Sequence, residues 1–141
     1  IRLEMMDGFD ARLGARLIAR AQESFAKRAA NGMFLMEGLK GTPGIRVPVF
    51  SAQERPCFNR LPVVFERADM LAKAEQELSR QGIESARMYQ RPLHHMFDLG
   101  YKHEDFPEAC FLAEHLLTLP VHPECSRSQL ERMIEAVKRW A

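Results

Sequence analysis

No stretch of this chain approaches the ~20 consecutive apolar residues of a membrane-crossing helix. No charged segment followed by an apolar run marks a secretory leader. An excess of charge of one sign is lacking too: 20 Lys and Arg stand against 19 Asp and Glu, a net of +1. So balanced a surface exerts no global pull on nucleic acid or on an acidic membrane. Cysteine is sparse. Cys57, Cys110 and Cys125, odd in number and far apart, do not make a disulfide framework. Free thiols in a reducing cytoplasm are the expectation. The low hydrophobicity of a disordered chain is also missing. With 46% hydrophobic and 28% charged residues over 141 positions, the sequence reads as a globular domain, residues 1–141, around one core. Ile1 stands where a natural start would place Met, so a fragment, a shortened version or a processed product is expected.

Familiar centres of chemistry are missing as well. There is no C-x-x-C, no H-E-x-x-H, no G-x-S-x-G and no phosphate-cradling glycine loop. His94, His95, His103, His115 and His122 are scattered along the chain, and no metal site is read from their spacing. Cys57 or Cys125 with a His would make a thiol site, but no local signature supports one, and small buried thiols are the plainer reading. The five lysines, Lys27, Lys40, Lys73, Lys102 and Lys138, fall on polar faces or in loops, and none reads as the desolvated amine of a Schiff base.

What is present is periodic. Phe9, Leu13, Leu17, Ala21 and Phe25 recur at helical spacing from Asp7 to about Gly38, with Asp7 or Asp10 as cap. Arg12, Arg16 and Arg20 form a row along the same helix. It reads as a solvated face, with a partner-facing stripe as the alternative. Gly14 and Gly32 cost this helix ~1 kcal/mol each relative to Ala unless close packing needs the space. Ile45–Phe50 and Phe58–Phe65 read as strands, the second an edge or bulged one because of Pro62. A helix capped by Asp69 and stopped by Gly82 follows, then a short strand over Ile83–Tyr89. Arg91–Tyr101 reads as irregular loop. Asp105 and Glu108 have capping-box spacing with Pro107 in the first turn. Thr118–Pro123 reads as an extended link, and Ser126 with Gln129 starts a last helix. The fold class is therefore α+β: a long first helix, a small, mainly antiparallel sheet of three or four strands, and about three further helices.

Tyr89 and His94 stand out, because an aromatic, the rigid Pro92 and a His follow a short strand. They are also where a family pattern becomes visible. Gly82-Ile83, then Tyr89, then Pro92-Leu93-His94, then Phe106-Pro107, then Leu117-Thr118-Leu119-Pro120-Val121-His122-Pro123 resemble, in that order, the tail of the DegT-type nucleotide-sugar aminotransferases, which use pyridoxal phosphate (PLP). Met6–Gly14 resembles that family's helix start, and Pro43-Gly44-Ile45-Arg46-Val47-Pro48 its linking turn. The resemblance implies the small C-terminal domain of a fold-type I aminotransferase. It implies that the Schiff-base Lys and the rest of the cofactor site lie in an N-terminal domain missing here. By the same resemblance, Tyr89 and His94 are substrate-binding residues near the sugar, and the complete enzyme is a homodimer taking a sugar nucleotide and an amino donor. This chain alone would hold no PLP and would not transaminate. Leu3 and Met5 stand where family members often have Asn and Arg, which puts a cofactor-phosphate contact to the neighbouring subunit in doubt. Phe58–Pro62 likewise departs from the aromatic and His often found there.

Two readings follow. One is the cleft-walling, subunit-contacting C-terminal domain of a sugar aminotransferase, inactive by itself. The other is a free-standing α+β protein-interaction module.

Overall fold

The carboxylate of Asp7 accepts from the backbone N–H groups of Phe9 and Asp10, both at 2.8 Å, and so caps the helix α1, Gly8–Leu39. The structure is a computed structural model describing residues 7–51, 53–54 and 56–141. The departures at Leu3 and Met5 lie outside the described residues. A short turn with Gly41 and Gly44 at positive φ leads to β1, Ile45–Arg46. Next come β2, Arg60–Phe65, and α2, Ala68–Arg80. The single turn α3, Leu93–Met96, precedes α4, Pro107–His115. The chain closes with β3, Leu116–Pro120, and α5, Arg127–Trp140. The strands form one antiparallel sheet in the order β1-β2-β3. The α+β class with a long first helix therefore holds.

The middle strand corrects the expectation for Pro62. That residue sits in the centre of the sheet, opposite Thr118. Thr118 exchanges both backbone hydrogen bonds with Ala86 on its far side, at 2.9 and 3.1 Å. Its N–H and C=O thus point away from β2, and Pro62–Thr118 is a non-hydrogen-bonded pair. The nitrogen of Pro62 is turned toward the β1 side. There β1 ends with Arg46 opposite Val64, so no strand asks Pro62 for a donor.

Three other strand expectations change. Ile45–Phe50 shrinks to two paired residues, because Pro48 lacks an N–H and restricts Val47 before it. Ile83–Tyr89 reduces to the single bridge Ala86–Thr118. Beyond it Arg87 turns aside to pair with Glu75 of α2. The presumed link Thr118–Pro123 instead supplies part of β3, whose Leu117, Thr118, Leu119 and Pro120 are all buried.

Besides the Asp7 cap, two of the expected caps form and two do not. Ser126 and Gln129 make a complete capping box, with bonds of 3.2 and 2.8 Å. Gly82, at φ +69°, closes α2. Asp69 does not cap α2; it pairs instead with Arg67 and Lys73. Asp105 does not cap α4 either, because its carboxylate accepts the N–H of Lys102 at 2.8 Å. Phe106 holds the cap position in a left-handed conformation, φ 59°.

The core lies between the sheet and the helices. Leu61, Val63 and Phe65 of β2 alternate inward and meet Leu35 and Leu39 of α1, Leu71 and Leu78 of α2, and Met133 and Val137 of α5. Gly32 lets α1 approach the ring of Phe58, and Gly38 lets it approach Ile134. Only the last turns of α1 share this core. Phe9, Leu13, Leu17, Ile18 and Phe25 are exposed, so the residues that recur at helical spacing along the first part of α1 do not join this core. No helix among the described residues is long and apolar enough to cross a membrane.

Candidate functional site

The segment from Gly82 to Phe106 carries most of the chain's candidate chemistry. Ile83 is buried and Ala86 is pinned to Thr118, so the backbone leaves the sheet from a fixed point. Thr118 is itself locked. Its hydroxyl donates to the carbonyl of Ala86 and accepts from Nε of Arg60, both at 2.9 Å. Arg60 also holds the carbonyl of Glu84 at 2.8 Å. From there Arg87 reaches Oε2 of Glu75 with two nitrogens, at 2.9 and 3.0 Å. This framework anchors Met88–Pro92 as a wall.

Tyr89 lies on that wall, 59% exposed. It borders an open, largely apolar trough of about 640 Å³ together with Leu93, Met96, Ala109 and Leu112. His94 is half-buried and its ring is elsewhere. Nε2 of His94 lies 3.3 Å from the carbonyl of His103 and 4.0 Å from Sγ of Cys110, with the ring edge-on to Phe106. Tyr89 and His94, singled out together in the sequence, thus sit on one segment with different neighbours.

The structure gathers residues that spacing left scattered. Nε2 of His95 is 2.7 Å from the carbonyl of His103 and 3.8 Å from Sγ of Cys110. Donor atoms of His94, His95 and Cys110 all fall within 4.8 Å of one another. His103 stacks on His95, with ring centroids 3.7 Å apart. Local sequence carried no signal for this cluster, because Cys110 joins it only through the left-handed turn at Phe106. That turn costs ~1–2 kcal/mol for a residue with a Cβ.

The other thiols behave differently. Cys125 is buried, and burial pushes its thiol above the ordinary range, away from the reactive thiolate. Cys57 is exposed.

PLP, implied by the resemblance, can be tested against the lysines. All five are exposed. Lys27 pairs with Glu23 at 2.8 Å, Lys40 with Glu37 at 3.7 Å and Lys73 with Asp69 at 3.3 Å. An exposed amine lacks the desolvated setting that prepares a lysine for imine formation. The residues of this chain do not fit the cofactor's covalent anchor.

Comparison with known proteins adds an independent line. Residues 4–138 match the model of the DegT/DnrJ/EryC1/StrS aminotransferase family. The chain is 32% identical over 120 residues to a dTDP-3-amino-3,4,6-trideoxy-alpha-D-glucose transaminase of Streptomyces venezuelae, covering 82% of this chain and 30% of that protein. It superimposes on S. venezuelae DesV, solved with a ketimine intermediate, with a TM-score of 0.82 at 28% identity, over 96% of this chain and 36% of that one. The aminotransferase TlmJ of Streptoalloteichus hindustanus gives a TM-score of 0.78 at 26% identity, over 99% and 37% of the two chains. The chain thus spans about a third of the length of these relatives.

Proposed function

Because the chain belongs to the DegT/DnrJ/EryC1/StrS aminotransferase family, we propose that it is the C-terminal small domain of a PLP-dependent sugar aminotransferase. In this reading it walls one side of the substrate cleft and contributes to contacts within a homodimer. The observation that carries the reading is the uncovered first half of α1. Phe9, Leu13 and Leu17, at spacing four and so on one face, are 74%, 46% and 59% exposed on a helix whose last turns are core. Contiguous exposed apolar surface of this kind marks an interface. The rest of a protein about three times as long is the occupant of that stripe, with a second copy beside it. The cofactor anchor belongs to that remainder, which supplies the amino-transfer chemistry.

The role of this chain is then recognition and orientation. Tyr89 faces the sugar side of the cleft on the wall held by Arg60, Thr118 and the Arg87–Glu75 pair, and His94 faces it from α3 just beyond that wall. The phenol of Tyr89 and the second ring nitrogen of His94, Nδ1, offer hydrogen bonds to a sugar hydroxyl or a phosphate. The trough beside Tyr89 shields the ring face of the substrate from water. The family match does not favour the alternative of a free-standing interaction module.

Kinetics of the full-length protein test this reading. In His94→Ala, kcat/KM for the nucleotide sugar should fall by ~10–100-fold, the loss of one charge-assisted hydrogen bond. The half-reaction with the amino donor should change much less. Equal losses in both half-reactions, or no loss in either, would overturn the assignment.

A further inference from the structure

We infer that His94, His95 and Cys110 form a binding site for a divalent cation of the zinc class, with His94 offering Nε2 to the ion and Nδ1 to the sugar side. Two imidazole nitrogens and a thiol make a borderline-soft donor set. Such a set suits zinc or cobalt(II) and disfavours magnesium and calcium, which take oxygen ligands. The spacing is close to what the ion needs. Ordinary zinc–sulfur and zinc–nitrogen bonds at a tetrahedral angle place S and N about 3.6 Å apart. Here Sγ of Cys110 lies 3.8 Å from Nε2 of His95 and 4.0 Å from Nε2 of His94. The two sulfur–nitrogen separations need to shorten by only a few tenths of an ångström, and all three donor atoms lie within 4.8 Å of one another.

The cluster is held before any ion arrives. α3 follows Pro92, whose extended backbone starts the turn that presents both rings. His103 stacks on His95, and Phe106 packs edge-on to His94. The left-handed turn at Phe106 brings in α4 and Cys110. Three protein ligands leave a fourth tetrahedral position. It opens on a depression of about 340 Å³ that His95 and Cys110 share with Gln90, Arg91 and Glu114. A water fits that position, with Glu114, one helical turn beyond Cys110, as an acceptor for it.

Without the ion, Nε2–H of each ring donates to the carbonyl of His103. On binding, each ring keeps one proton but carries it on Nδ1, which frees Nε2 as a ligand. The thiol gives its proton to solvent, so one proton leaves for each ion bound. The bound ion would tie α3 and the loop 97–106 to α4.

The test needs no turnover, so it is independent of the sugar assignment. Full-length protein stripped with chelator is dialysed to equilibrium against buffered zinc, and metal per chain is measured by mass spectrometry. One zinc per chain is expected. Cys110→Ser and His95→Ala should each weaken binding by more than the ~10–100-fold that loss of an outer-shell partner costs. Cys57→Ser, which alters an exposed thiol outside the cluster, should bind as the parent does. Cobalt(II) added to the unsubstituted protein should give a thiolate-to-cobalt charge-transfer band, a readout that requires no variant to fold. No cobalt–thiolate band, or zinc binding unchanged in the double variant Cys110→Ser/His95→Ala, would overturn the site.

Discussion

Two glycines of α1 have opposite roles, although they look alike in sequence. A Cβ at Gly14 would meet nothing within 4 Å, whereas one at Gly32 would collide with the ring of Phe58. Helix propensity favours Ala over Gly by ~1 kcal/mol at either position. At Gly32 that gain is opposed by overpacking, which typically costs ~1–3 kcal/mol. Phe58 is only 5% exposed and has little room to yield. Thermal unfolding should therefore show Gly14→Ala slightly raising Tm and Gly32→Ala lowering it. Adding Phe58→Leu to Gly32→Ala should recover part of the loss. A Gly32→Ala protein as stable as the parent would mean that the ring moves freely.

For whole elements, the charged residues at helix starts show how tertiary context redirects a cap. Asp69 sits in the first turn of α2 but bonds to Arg67, at 2.8 Å through both carboxylate oxygens, and to Lys73 at 3.3 Å. The hydrogen bonds from Arg67 come first among the causes that hold its carboxyl below the ordinary range, with Lys73 adding to them. A lowered folded-state pKa contributes stability that is present above the unfolded value and lost as pH falls through the folded one. Because the group is fully solvated, the contribution is small and screened by salt. The Tm difference between the parent and Asp69→Asn should be largest at neutral pH and low salt. It should vanish below the ordinary carboxylate range. A difference that persisted in acid would show that Asn disturbs the turn itself.

The molecule as a whole has a core at one end of α1 and an uncovered apolar stripe at the other. Leu35 and Leu39 are 0% and 1% exposed, while Phe9 and Leu17 are 74% and 59% exposed. Local stability follows burial, so the amides near the start of α1 should open more easily than those of its last two turns. Hydrogen exchange on the 141-residue chain should show fast exchange over residues 9–28 and protection over 32–39. The same early segment should become protected in the full-length protein. Equal exchange of residues 9–28 in both forms would argue against an occupant for the stripe.

Much of this protein was legible in its sequence, because local chemistry wrote it. The Ser126–Gln129 box, the Asp7 cap, the Gly82 stop and the helical periodicities depend on neighbours three or four residues away, and all four formed. The ordered segments from Gly82-Ile83 to His122-Pro123 carry the family resemblance in the sequence itself. What the sequence could not show depends on partners far along the chain. Pro62 is tolerated in a central strand only because β1 ends early and Thr118 bonds to Ala86. Thr118–Pro120 became a buried strand because β2 took it as a partner. The meeting of His94, His95 and Cys110 was decided by the left-handed turn at Phe106, since a cluster joined across 15 or 16 residues has no linear period to read.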